Sequence, residues 1–133
     1  MEVINLGIVI NNKGEVLIIK RKVPEKGKSG KILVWAFSGG KQESGETRES
    51  AVEMEVLMET GYKVKAVKQI NMRIHPDTGA LVIYHLCELL EENQIQLPSE
   101  PHEIEEIKWI KKEEIKNYFT TDIDPQVQKL LGI

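Results

Sequence analysis

The sequence predicts a single mixed α/β domain in which strands outnumber the helices that cover them. Three observations predict it. The chain has 133 residues, 41% hydrophobic and 29% charged, which suits one domain with one core. Apolar, β-branched runs recur between turn signals over residues 3–10, 15–21, 32–37, 62–74, 80–90 and 104–110. One long stretch, Gly39 to Tyr62, instead opens on glycines, continues with helical periodicity and stops on Gly61. The chain carries no internal repeat, linker or low-complexity segment, so residues 1–133 read as one domain.

In order, residues 3–10 form a strand, Asn11-Asn12-Lys13-Gly14 a turn, and residues 15–21 a second strand, which together predict a hairpin. Val16, Ile18 and Ile19 suit a strand buried on at least one face. Lys20, Arg21 and Lys22 close it, either as a solvated strand end or with Arg21 reaching back to a bound phosphate. Residues 23–31, with Pro24, Gly27, Ser29 and Gly30, form a loop. The strand at 32–37 places Trp35 in the core, and Gly39-Gly40 follow where the chain needs positive φ or a close backbone approach. After the helix, two strands flank the turn His75-Pro76-Asp77-Thr78-Gly79. His75 and His85 have no partner at metal-ligand spacing and are expected to be structural.

Cys87 is the single cysteine and reads as a small buried hydrophobe. No intrachain disulfide or cysteine-based zinc site can be built from it. Residues 91–102 are polar, with Pro98 and Pro101, and predict a loop. A strand at 104–110 with Trp109, a short helix at 112–119 and a last helix at 126–131 complete the chain. Asp124-Pro125 start that last helix, with an acidic cap and proline at its first position, and Gly132 closes it.

The helix in the middle carries the chemistry. At about 100° per residue, Glu59 lies roughly 40° from Glu55. Val52, Val56, Ala51, Met58 and Met54 bracket the pair, so both glutamates point inward. Glu49, Glu53, Ser50 and Thr60 gather on the far side with Leu57, where Glu49 and Glu53 read as ordinary solvated acids. Inward carboxylates cost free energy unless a cation or several donors compensate them. Glu55 and Glu59 are about 6 Å apart along the axis and can converge on one hard divalent cation. Such a cation takes oxygen ligands and keeps waters for substrate phosphates. Gly40 lets a backbone carbonyl turn to the same point. The alternative is that Arg or Lys side chains satisfy the glutamates, Arg48 on the same face among them.

A net charge of −3 and an isoelectric point near 5.7 argue against a dedicated nucleic-acid binder. No stretch approaches ~20 apolar residues and no basic leader precedes an apolar run. No membrane association and a cytoplasmic location are therefore expected.

Residues 40–62 resemble the Nudix box: G, five residues, E, seven residues, R-E, an aliphatic residue, any residue, E-E, any residue, G, then an aliphatic or aromatic residue. Gly40, Glu46, Glu55, Val56, Glu59 and Gly61 fall in register, and Tyr62 fits the last position loosely. Gly39-Gly40, Gly45-Glu46 and Trp35-Ala36-Phe37-Ser38 match the usual surroundings, with Ser38 where the family commonly has proline.

The resemblance implies a Nudix-type α/β/α sandwich on a mixed β-sheet. It also implies magnesium- or manganese-dependent hydrolysis of a nucleoside diphosphate linked to another group, a nucleotide-type small molecule. By position, Glu55 and Glu59 resemble the catalytic metal ligands, the Gly40 carbonyl a further ligand, and Glu46 the residue that fixes the loop. Arg21, Gly39 and Gly40 are the expected substrate-binding residues. Family members often add a glutamate from outside the box; Glu103 is the candidate here, or a solvated loop acid, and Glu43 could also complete the site. Homodimers are common among similar proteins, but nothing in this sequence fixes one.

Two positions break the pattern. Met54 stands in place of the arginine and Met58 in place of the first glutamate of the E-E pair. An oppositely charged pair four residues apart becomes an apolar pair that leaves no unpaired buried charge. The helix keeps two carboxylates instead of three. That leaves two readings: an active hydrolase with a leaner metal site, or a domain that binds a nucleotide without turning it over, as a sensor or interaction module.

Overall fold

The computed structural model describes residues 1–99 and 103–133. In chain order the elements are β1 (Val3–Ile10), β2 (Glu15–Lys26), β3 (Ile32–Lys41), α1 (Arg48–Thr60), β4 (Val64–Ile74), β5 (Leu81–Leu89) and β6 (Ile104–Lys111). A 3₁₀ turn (Lys112–Glu114) then runs into α2 (Ile115–Tyr118), and α3 (Pro125–Leu131) ends the chain.

Alternation along the strands sets the layers. Ile8, Val16 and Ile18 face one side, where they pack with Phe37, Ile115, Val127 and Leu131 beneath α2 and α3. Val9 and Leu17, one residue out of phase, face the other side and pack with Val52 and Val56 of α1 and with Cys87. Side chains on a strand point alternately to opposite faces, so β1 and β2 each feed two cores. The result is the expected α/β/α sandwich. The sheet runs β4-β5-β1-β3-β2-β6. It is mixed, because β1 pairs in parallel with β5 and antiparallel with β3.

The predicted hairpin survives only at its turn. β1 and β2 share the single register pair Ile10↔Val16, then diverge; β3 takes the place beside β1, and β2 pairs with β3 and β6. Two strands are also longer than expected. β2 continues to Lys26, and β3 carries Gly39-Gly40 inside it, paired with Leu6 and Asn5. Gly39 is needed there for space, since a Cβ would sit 2.1 Å from the Asn5 carbonyl oxygen.

α1 starts and stops where the sequence indicates. Thr47 caps it, its hydroxyl accepting from the Ser50 N–H while Ser50 Oγ accepts from the Thr47 N–H. Gly61 ends it in the left-handed conformation, φ 78°. On the far face of the helix Glu49 is exposed as expected, whereas Glu53 is only half-exposed. Glu53 accepts from the Ala66 N–H of β4, and Thr60 is fully buried, its hydroxyl bonded to the Val56 carbonyl. β4 packs against that side. The 112–119 region is a 3₁₀ turn plus one helical turn instead of a single helix. Trp35 is half-buried at the core margin, edge-on to Tyr118. Asp124 caps α3 through the N–H groups of Gln126 and Val127. No helix among the described residues is long and apolar enough to cross a membrane.

Candidate active site

The end of β3 and the inner face of α1 meet at one point. Glu59 is 7% exposed. Its Oε1 accepts from the Ser38 hydroxyl at 2.8 Å and from the Gly39 N–H at 2.9 Å. Two donors from one strand therefore fix a carboxylate that burial alone would disfavour. Glu55, one turn earlier, lies against the next residue of that strand. A Cβ on Gly40 would come 2.7 Å from Glu55 Oε2. A side chain at position 40 would push the Glu55 carboxylate from its present place, so Gly40 lets both carboxylates lie at the same strand end.

That donor set, all oxygen, fits a hard cation that keeps part of its water shell. No group of three His, Cys, Asp or Glu side chains among the described residues is close enough to hold an ion. Glu103, exposed in the turn before β6 with its carbonyl accepting from the Lys22 N–H at 2.9 Å, is therefore not gathered with Glu55 and Glu59 into such a cluster. Glu100, Pro101 and His102, which precede it, lie outside the described residues. Glu43 is exposed. Glu46 ties the loop: its Oε1 accepts from the Glu43 N–H at 2.8 Å, and its carbonyl accepts from the Gln42 side chain. Arg48, the cation suggested as an alternative partner for Glu55, donates to Gln69 at 3.0 Å.

A second polar chain supports the same loop from beneath. His85 meets Asn5 Oδ1 at 2.8 Å, and Asn5 donates to Gln42 Oε1 at 2.9 Å. Both His85 and Asn5 are buried, and burial lowers the His85 pKa, so the ring is neutral and structural, as expected. Cys87 is buried as well, and burial pushes its thiol up to about 12. It is inert at neutral pH.

From Glu59, Gly39 and Gly40 a cavity runs over the sheet face that α2 and α3 cover. Arg21 is one of the residues that line it. The guanidinium sits 3.8 Å from Glu25 on the surface and donates to the Val23 carbonyl. Phe37 and Phe119 contribute apolar walls, with ring centroids 4.8 Å apart. The far end is polar and holds His75, Tyr84, Asp122 and Asp124. There Arg73 reaches Asp122 at 2.6 Å, Asp124 at 3.1 Å and the Tyr84 hydroxyl at 3.3 Å. Burial and the Arg73 charge lower the His75 pKa.

Sequence reasoning missed this far end. Asp124 was legible only as a helix cap, and Tyr84 only as one of four rings, with Tyr62, Trp109 and Tyr118, that could stack on a base. Their shared site depends on pairing between β4, β5 and the segment before α3, which no local pattern encodes. It also missed Ser38 as a donor to Glu59, although its position where proline is usual was the available signal.

The NUDIX domain model matches residues 2–130, and the chain belongs to that family. A Bacillus subtilis (strain 168) protein named "Putative 8-oxo-dGTP diphosphatase" is 32% identical over 69 residues. That match spans 52% of this chain and only 41% of the relative. Among solved structures, a NUDIX hydrolase from Nitrosomonas europaea superposes with a TM-score of 0.76 at 20% identity, covering 98% of this chain and 70% of that one. A MutT protein from Methanosarcina mazei Go1 gives 0.68 at 22% identity, covering 98% and 90%. At such identities the two structures establish the fold.

Proposed function

We propose that the protein is a Nudix hydrolase that cleaves the diphosphate of a nucleoside diphosphate linked to another moiety, and that it needs magnesium or manganese. The observation that carries this reading is that Glu55 lies against Gly40 and Glu59 is bonded to Gly39, while Gly39, Gly40 and Glu59 line a cavity walled by Phe37 and Phe119. Glu55, Glu59 and the Gly40 carbonyl would hold the cation, and Glu103 would join them only by moving from the place it holds in this structure. When bound, such a cation neutralises charge on the diphosphate and lowers the pKa of water.

The chain's own residues do the rest. Ser38 and Gly39 keep Glu59 in one orientation, so no side-chain reorganisation is needed when the substrate arrives. Arg21 offers a positive charge to the phosphates where the cavity opens. Glu55 or another acid near the cation takes the proton of the water that attacks phosphorus, as the bridging oxygen of the diphosphate leaves with the other half of the substrate. The apolar walls receive the flat or bulky end of the substrate and exclude water from it. The acidic lining disfavours a bare polyphosphate, which fits a substrate that enters with its cation.

Met54 favours a second reading. It is 51% exposed, and no charge stands in the arginine position of the box. A catalytically impaired domain that binds nucleotide as a sensor or interaction module is consistent with that departure. The Bacillus subtilis relative's name makes oxidised purine nucleotides one group to include in a substrate panel, with nucleotide sugars, dinucleotides and nucleoside triphosphates. Release of phosphate or nucleoside monophosphate that requires magnesium and disappears in Glu59→Gln supports the hydrolase. No turnover across the panel, with nucleotide binding retained, sinks it in favour of the binding module.

A further inference from the structure

We infer that Asp77 is a positioning residue for the far wall of the cavity, joining three chain segments so that substrate fit, and not the chemistry, depends on it. The inference rests on the hydrolase reading for its kinetic consequence only.

Asp77 sits in the β4–β5 turn and is 4% exposed. It does not line the cavity, yet its neighbours His75 and Thr78 do. The turn closes without its carboxylate: the Gly79 N–H donates to the His75 carbonyl at 2.9 Å, and the His75 N–H to the Ala80 carbonyl at 2.9 Å. Both carboxylate oxygens are instead spent on other parts of the chain. Oδ1 accepts from the Ser29 hydroxyl in the β2–β3 loop, 48 residues away. Oδ2 accepts from the Asp122 N–H at 3.1 Å, 45 residues away in the segment before α3.

The backbone repeats the connection. The Asp77 carbonyl accepts from the Lys28 N–H at 2.6 Å, and the Asp77 N–H donates to His75 Nδ1 at 3.1 Å. Nδ1 must therefore be unprotonated, which fixes the neutral His75 with its proton on Nε2. Gly27 permits the approach, since a Cβ there would lie 3.0 Å from the Asp77 Cβ. Thr120 adds a parallel connection by donating to the Ile32 carbonyl.

A buried carboxylate is expensive as mere filler. Here it holds Asp122 in place by the backbone while Arg73 holds it by the side chain. His75, Thr78 and Asp122, which line the cavity from two segments, are thus set by one residue behind them. Glu55, Glu59 and Gly40 belong to other elements and do not depend on it.

The test is Asp77→Ala, read first by hydrogen exchange and then by kinetics. Exchange at the Asp122 and Lys28 amides should rise about tenfold or more while the Val52 and Val56 amides of α1 stay protected. On a substrate turned over by the wild type, KM should rise about tenfold with kcat within about threefold, the pattern of lost binding without lost chemistry. Asp77→Asn should restore KM to within about threefold of wild type, because its amide oxygen still accepts from Asp122 and its amide nitrogen can donate to Ser29.

Unchanged exchange at Asp122 and Lys28, or a fall in kcat with KM unchanged, overturns the inference. If Asp77→Ala does not fold, Ser29→Ala removes one of the connections from an exposed position. It should speed exchange at Lys28 and raise KM about threefold, and no change in either overturns the inference as well. Failure of the hydrolase reading would show separately, as absence of turnover by the wild type; the exchange measurement would still decide whether Asp77 joins the segments.

Discussion

Glu59→Gln separates what the carboxylate does for the fold from what it does for a cation. The amide keeps an oxygen where Oε1 accepts from Ser38 and Gly39, so both hydrogen bonds can persist. They change from charge-assisted bonds, worth about 1.5–3 kcal/mol each, to neutral ones worth about 0.5–1.5 kcal/mol. The loss is on the order of 2 kcal/mol. Against it stands the relief of removing a charge from a position only 7% exposed, where ion burial costs several kcal/mol. The two effects are similar in size and opposite in sign, so without metal the variant should stay within about 1 kcal/mol of wild type, or roughly 4 °C in Tm.

With metal the two proteins should part. At a free concentration 100 times its Kd, a divalent ion stabilises the wild type by about 2.7 kcal/mol. A variant that binds about 100-fold more weakly gains only about 0.4 kcal/mol at the same concentration. Thermal or urea unfolding with and without manganese, at matched ionic strength, measures both quantities. Equal stabilisation of the two proteins by manganese would refute Glu59 as a ligand. A large loss of stability without metal would refute the balance argued for its hydrogen bonds.

Other changes test other links. Met54→Arg combined with Met58→Glu should raise magnesium affinity in calorimetry, about tenfold if the third carboxylate joins the site; unchanged affinity would show that the methionines are not what thins it. Ser38→Ala removes the hydroxyl that donates to Glu59, and should lower stability by about 1–3 kcal/mol in urea unfolding and weaken manganese binding about tenfold. Gly7→Ala places a methyl group 3.2–3.3 Å from Cys87 Sγ and from the Cγ2 atoms of Val52 and Val56. That overpacking between β1 and α1 should cost about 1–3 kcal/mol in urea unfolding.

The parts of the molecule that local chemistry specifies were legible. α1 could be bounded because Gly61 needs a left-handed backbone and α3 because Asp124-Pro125 combine a cap with a proline at the first position. The inward turn of Glu55 and Glu59 followed from helix geometry. Errors arose where a partner from elsewhere in the chain decided the outcome. Glu53 looked solvated because nothing in the helix reveals the Ala66 N–H waiting on β4. Gly39-Gly40 looked like a loop because glycines usually punctuate; here they allow a strand to pass against Asn5 and a carboxylate. The β1–β2 hairpin looked local, but β3 competes for the same edge of β1 and wins beyond the turn.

Ser38 and the two methionines bear on one question, which is how the site can lose a charged pair from its helix and remain ordered. A proline at position 38 would offer neither a hydroxyl nor an N–H. Serine offers a hydroxyl, and that hydroxyl is bonded to Glu59 in a fully buried position. Support for Glu59 therefore comes from β3, across the packing interface. Met54 can then be exposed and Met58 half-buried without releasing the carboxylate that matters. Orientation of Glu59 is kept by Ser38 and Gly39 of β3, and the side chains at positions 54 and 58 of α1 carry no charge.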